Sequence, residues 1–226
     1  MRILLTILII IPAVSSADTV IGKLVQSEGM IKRTNINCFE KDCNIKSRKI
    51  NPGERIKTAR GSSARILLKD GTAIILYENS DLIINRARLS ERDKPTEIFL
   101  EKGKIQVIQK NSFLDTSLIV KTHVSIIKSV NSELRLVSGT DETAIFVYSG
   151  EAGFAGINPS KDEAFILKSG DESFVRKDDS PAAPVIVDRI LRTSWLGRHF
   201  LSEDSRRVLV YRKNGLTADW PFIKSD

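Results

Sequence analysis

Two apolar runs that meet at Asp70-Gly71 constrain the fold of this chain more than any other stretch. Residues 50–84 read INPGERIKTARGSSARILLKDGTAIILYENSDLII. Asp-Gly between alternating apolar residues is a strong hairpin signal, because a two-residue type I′ turn needs positive φ at both central positions. Closing the chain there predicts Lys69 opposite Thr72, Leu68 opposite Ala73, Leu67 opposite Ile74 and Ile66 opposite Ile75. Strand side chains alternate, so Ala64, Ile66, Leu68, Ala73, Ile75 and Tyr77 share one face, and Leu67, Ile74 and Leu76 take the other. A hairpin that is apolar on both sides belongs inside a sheet. Asp70 and Gly71 are structural turn residues in this reading, and the stretch holds no catalytic or ligand-binding chemistry. Arg65, between apolar neighbours on the hairpin, is a candidate partner-facing residue.

Residues 1–17 read as a signal peptide. Arg2 supplies the positive start, Ile3 to Ile11 an apolar run, Pro12 a break, and Ser15-Ser16-Ala17 small residues for cleavage. A membrane-spanning helix needs about 20 apolar residues, and polar sequence already begins at Asp18. The expected product is exported to the periplasm or beyond, is cut after Ala17, and keeps no transmembrane segment. Removing 17 of 226 residues leaves 209, a length that suits one β-rich domain with an appendage. Loss of Arg2 lowers the formal net charge from +7 to +6. Lys and Arg are spread without a dense basic run, and aromatic residues make up only 6%, which argues against a nucleic-acid partner. In an oxidising compartment Cys38 and Cys43 are expected to form a disulfide across a small loop. Their spacing matches no zinc pattern, and His123 and His199 are remote, so neither a metal nor another cofactor is expected.

From Asp18 to Val175 the text is runs of four to six strand-like residues separated by Gly and Asx turns. An apolar residue, two spacers and a glycine recur as Ile50-x-x-Gly53, Leu100-x-x-Gly103, Val147-x-x-Gly150 and Leu167-x-x-Gly170. Glycine there supplies a backbone conformation that a Cβ would penalise. The expected fold is all-β: a short-stranded, solenoid-like roll or sandwich with a C-terminal helical appendage.

The order of these signals resembles the periplasmic domain of the FecR family. The segments that carry the likeness are Gly53-Glu54-Arg55-Ile56-Lys57-Thr58, then Ser63 to Thr72 with its Asp-Gly, then Asn79-Ser80-Asp81-Leu82. Leu100-Glu101-Lys102-Gly103, Val120-Lys121-Thr122 and Val147 to Gly153 follow in order. The likeness runs from about Val20 to Val175. The chain departs from the family where His123 replaces a proline, Asn131-Ser132 replaces Gly-Thr, and Leu134 replaces Phe. Asn tolerates positive φ better than other non-glycine residues, so the turn at Asn131 can survive. The resemblance implies a periplasmic protein-binding module with an envelope protein as partner, in signalling or as a scaffold. Direct control of a sigma factor is not implied, because a signal sequence stands where the best-known members carry a cytoplasmic segment.

Residues 176–187 read as a linker after a β-domain spanning 18–175. Residues 188–226 read as a helix and tail. Asp188 can cap that helix, Ile190, Leu191, Trp195 and Leu196 fall near one face, and Arg189, Arg192 and Arg198 could face a partner. Val208 to Tyr211 suggests a last strand. No G-x-S-x-G, H-E-x-x-H or P-loop occurs, so an enzyme is not expected. The competing reading is a peptidoglycan-binding envelope protein whose positive charge meets anionic wall polymer.

Overall fold

The computed structural model describes residues 19–35, 47–90, 92–109, 117–157, 164–186, 207–211 and 217–221. The signal segment, Cys38, Cys43, and the helix with Arg189, Arg192 and Arg198 lie outside the described residues. In chain order the strands are β1 Gly22–Glu28, β2 Ile31–Asn35, β3 Lys49–Ile50, β4 Glu54–Thr58, β5 Ser63–Leu68, β6 Ala73–Leu76, β7 Asp81–Arg86 and β8 Thr96–Ile108. They continue with β9 Ser117–Lys121, β10 Ser125–Ser138, β11 Glu142–Gly156, β12 Phe165–Lys168, β13 Asp171–Arg176, β14 Val185–Ile186, β15 Arg207–Tyr211 and β16 Thr217–Pro221. The all-β expectation holds among the described residues. β15 and β16 pair only with each other, and the other fourteen strands form one sheet.

That sheet bends around a single core. One half runs β3-β1-β5-β6-β8-β10-β11-β13-β14, the other β2-β4-β7-β8-β9-β10-β11-β12. β8, β10 and β11 serve both halves: residues 97–102 of β8 pair with β7, and residues 103–108 pair with β10. Each of the three strands turns its corner at a residue with positive φ, namely Gly103 (103°), Asn131 (48°) and Gly150 (80°). Asn131 thus fills the position expected of a tolerant non-glycine residue. The inward residues of both halves, among them Ile66, Leu68, Ile74 and Leu76 from one and Ile56, Leu82, Ile84, Leu100, Val120 and Phe154 from the other, form one buried cluster. Burying an aliphatic or Phe side chain contributes about 1.5–3 kcal/mol, so this cluster is the main source of stability.

Two sequence expectations are corrected. The strands are not uniformly short: β8, β10 and β11 have 13, 14 and 15 residues. The pair expected around Gly103 is one bent strand. At Gly53 and Gly170 the recurrent glycine ends one strand and begins the next, whereas at Gly103 and Gly150 the ladder continues through it. The four apolar residues that open these units, Ile50, Leu100, Val147 and Leu167, are all fully buried.

The second correction is the hairpin register. Ile66 faces Ile74 and Leu67 faces Ala73, one residue away from the expected pairing. Asp70 is not among the residues with positive φ, so the turn is not type I′. Leu68 O accepts the Gly71 N–H at 3.2 Å, Leu68 N–H donates to Thr72 O at 2.9 Å, and Gly71 takes φ 88°. This is a three-residue loop, a type I turn followed by a left-handed glycine. The slip by one residue moves every β6 side chain to the other face. Ala64, Ile66, Leu68, Ile74 and Leu76 therefore face the core, and Leu67, Ala73, Ile75 and Tyr77 are half-buried on the outer face. Leu67→Ala should accordingly cost less than about 1 kcal/mol by urea unfolding, while Ile66→Ala should cost about 2–5 kcal/mol. Equal losses would contradict this register.

Candidate interaction surface

The segment Glu54 to Thr58 alternates inward and outward, and each inward residue has a distinct task. Ile56 joins the core. The Thr58 hydroxyl donates to Tyr77 O at 2.5 Å and accepts the Ser80 N–H at 3.0 Å, tying β4 to the chain entering β7. Glu54 is fully buried and takes Arg33 Nε on Oε1 at 2.5 Å and the Asn51 N–H on Oε2 at 3.0 Å. Arg33 also donates to Lys49 O at 2.6 Å and to Ser47 O, so one guanidinium fixes β2, β3 and β4. Burial pushes the Glu54 carboxyl up, although the Asn51 amide and Arg33 both pull it down.

The outward residues start a lattice of opposite charges over the β4-β7-β8-β9 face. Arg55 grips Asp81 with two hydrogen bonds, 2.8 and 2.7 Å, and Lys57 Nζ approaches the same carboxylate at 3.0 Å. Burial works against ionised Asp81, yet Arg55 and Lys57 hold its carboxyl below the usual carboxylate range. Glu101 lies 3.6 Å from Arg55 and 3.0 Å from His123 Nε2, and the His123 ring stands edge-on to Phe99. Arg86 and Lys121 share Glu97 at 2.5 and 3.1 Å. Such half-exposed pairs contribute little each, but as a network they hold this face in one arrangement.

The opposite outer face has different chemistry. A cross-strand row runs Arg65, Ile75, Gln106, Arg135, Phe146 and Glu172 from β5 to β13. Arg135 is buried between two rings, 5.6 Å from the centroid of Tyr77 and 5.2 Å from that of Tyr148. It donates to Gln106 Oε1 at 3.2 Å, which also accepts the Tyr77 hydroxyl at 2.9 Å. Gln106 Nε2 in turn donates to Glu133 at 2.8 Å. Arg65 lies exposed at the row's end, with no hydrogen bond or ion pair among the described residues. Among the described residues no cluster of three His, Cys, Asp or Glu could hold a metal ion, and no helix is long and apolar enough to cross a membrane.

Residues 54–153 match the FecR protein family. The match is consistent with a FecR-type domain over that span. The matched span runs from the buried Glu54 to Gly153 in β11, and so holds the Asp70-Gly71 loop, the bends at Gly103 and Gly150, Arg65 and the caged Arg135. β1 to β3 and β12 to β14 lie outside it and widen the sheet at both ends. Two crystal structures of a chain from Parabacteroides distasonis ATCC 8503, described as an anti-sigma factor, share the fold. Each has a TM-score of 0.50, with 15% and 16% identity. The alignments cover 63% of this chain and 63% and 64% of those chains, so the likeness spans less than two thirds of their length. No curated protein matches the sequence.

Within the matched span the sequence-derived candidates separate. Asp70 is buried, its Oδ1 accepting the Thr72 N–H at 2.8 Å and its Oδ2 the Thr96 hydroxyl, so Asp70 and Gly71 shape the loop. Arg65 faces solvent. Sequence reasoning missed Arg135, Tyr77 and Tyr148, which are far apart in the chain and meet only across strands. A basic residue between the apolar Leu134 and Leu136 was the one local sign.

Proposed function

We propose that this chain is an exported, non-catalytic protein-interaction module of the bacterial envelope, acting in signalling or as a scaffold. The observation that carries this reading is the FecR match over residues 54–153. The description of the Parabacteroides distasonis chain as an anti-sigma factor points to regulation through a protein partner as well. In this reading residues 1–17 direct export, Cys38 and Cys43 form a disulfide, residues 176–187 carry the chain through β14 at the sheet edge toward a helix and tail in 188–226, and Arg65 faces the partner, with Arg189, Arg192 and Arg198 as a second basic set. Arg65 suits that role because it is exposed and unengaged among the described residues, while Arg135 on the same row is held in its cage.

Cell-envelope crosslinking of the tagged chain, run beside peptidoglycan sedimentation, tests the proposal. The mature protein should begin at Asp18, recover one envelope protein above an unrelated exported control, and stay in the peptidoglycan supernatant. Sedimentation with peptidoglycan and no recovered protein would replace this reading with the wall-binding one.

A further inference from the structure

Five acidic side chains are buried among the described residues: Glu54, Asp70, Asp81, Glu97 and Glu172. Four of them are satisfied, by Arg33, by Thr72 and Thr96, by Arg55, and by Arg86 with Lys121. Glu172 is different. It is 3% exposed and makes no hydrogen bond or ion pair among the described residues. On one side its strand neighbour is Phe146 of β11, and on the other it is Val185 of β14. Among the described residues the other groups around it offer no counter-charge. Tyr148 on β11 has a buried hydroxyl without a hydrogen-bond partner, and burial pushes its titration upward. Arg135 on β10 lies beyond Phe146 and is taken up by Tyr77, Tyr148 and Gln106. Along β13, Asp171 accepts the Lys168 N–H, and Arg176 pairs with Glu142.

An isolated carboxylate is too costly to keep in such a place, so the group is either neutral or must reach water. Two ladders flank it and they are unequal. β13 meets β11 over five residue pairs, Glu142 to Phe146, whereas β14 is an edge strand held by two pairs, Asp171 with Ile186 and Glu172 with Val185. On the approach to β14 the Ala182 N–H donates to Phe174 O at 2.8 Å and the Ser173 hydroxyl donates to Ala182 O at 2.5 Å. The smaller ladder should yield first.

We propose that β14 is a pH-released latch: protonated Glu172 keeps Val185 and Ile186 on β13, and ionised Glu172 peels them away. Burial pushes the Glu172 carboxyl up to about 8, so closure weakens progressively from the ordinary carboxyl range and reaches its minimum near that value. The closed form binds the proton, so closure is favoured at low pH and lost as pH rises toward that value. Release leaves the backbone groups of Asp171 and Glu172 unpaired, a sheet edge that a partner's strand can extend.

Hydrogen exchange on the full chain, comparing wild type with Glu172→Gln at each pH from about 4 to 9, tests the latch and cancels the intrinsic pH dependence of exchange. At Val185 and Ile186 the ratio of wild-type to variant exchange should be near unity at pH 4, climb by up to about tenfold per pH unit between about pH 5 and 8, and level off above 8, as one linked proton requires. The ratio in β10 and β11 should stay flat. A flat ratio at Val185 and Ile186 as well overturns the proposal. Should Glu172→Gln fail to fold, the Glu172 side-chain carboxyl carbon shift in the wild-type chain decides. A midpoint near 8 with matching shifts at the Val185 and Ile186 amides supports the latch. A midpoint below 5, or one near 8 without those amide shifts, overturns it.

Discussion

Gly103→Val is expected to leave little folded protein. Gly103 sits at the bend of β8 with φ 103°, where a β-branched residue is a backbone outlier. A Cβ there would lie 2.4 Å from Ser80 Cα. Ser80 cannot step aside, since its hydroxyl accepts the Lys104 N–H at 2.9 Å and donates to Lys104 O at 3.0 Å. Its main chain is also bonded to Thr58 through Ser80 N–H and Ser80 O. Backbone strain and overpacking together should cost about 3–6 kcal/mol, a large part of the about 5–15 kcal/mol that domains have. Gly61→Val is the control. Gly61 also has positive φ, 65°, but a Cβ there meets nothing within 4 Å, so it should lose only about 1–2 kcal/mol. Urea unfolding midpoints of the two variants report the difference. Equal midpoints would mean that the corner of β8 is not where the two halves of the sheet are fixed.

Arg33→Ala is the second large effect. It leaves Glu54 buried without its cation and strips a donor from Ser47 O and Lys49 O, and breaking a buried pair in this way should cost about 3–5 kcal/mol. The loss should depend on pH with a definite sign. Glu54 already has a raised folded-state pKa, and removal of Arg33 raises it further. A carboxyl raised on folding destabilises as pH climbs past its unfolded value, so the deficit against wild type should be largest at pH 7–8 and shrink toward pH 4. Replacing both partners, Arg33→Met with Glu54→Leu, should recover most of the loss, because no uncompensated charge remains. A deficit that grows on acidification would contradict this account of the pair.

The legible part of the fold was local. Alternation placed the strands, and the Leu-x-x-Gly units placed four backbone positions that do take positive φ. What escaped was decided at a distance. Asp-Gly suits a two-residue loop and a three-residue one alike, and Asp70 is settled in the second by Thr72 and by Thr96 on β8. The glycine of Leu100-x-x-Gly103 reads the same whether a strand ends or bends, and only its partners β6, β7 and β10 distinguish the two. Arg33 and Glu54 stand 21 positions apart with no periodic signal between them. No local pattern marks Glu172 as buried, yet it is 3% exposed on β13 between β11 and β14. On the candidate surface Arg65 was legible as an outward cation, whereas the Tyr77, Arg135 and Tyr148 cage required the register to be known.

The central proposal is that this chain works by holding a protein partner on the outer face that begins at Arg65. The most direct measurement is site-specific photo-crosslinking in intact cells, with the photoreactive side chain at position 65 and, separately, at position 32 on β2 of the other half. Its companion is capture by Arg65→Glu, which should unfold like the parent because Arg65 is exposed. The account predicts that position 65 crosslinks one envelope protein, that position 32 does not, and that folded Arg65→Glu loses it. Capture of the same protein by Arg65→Glu at the parent level, with no crosslink at position 65, would contradict it.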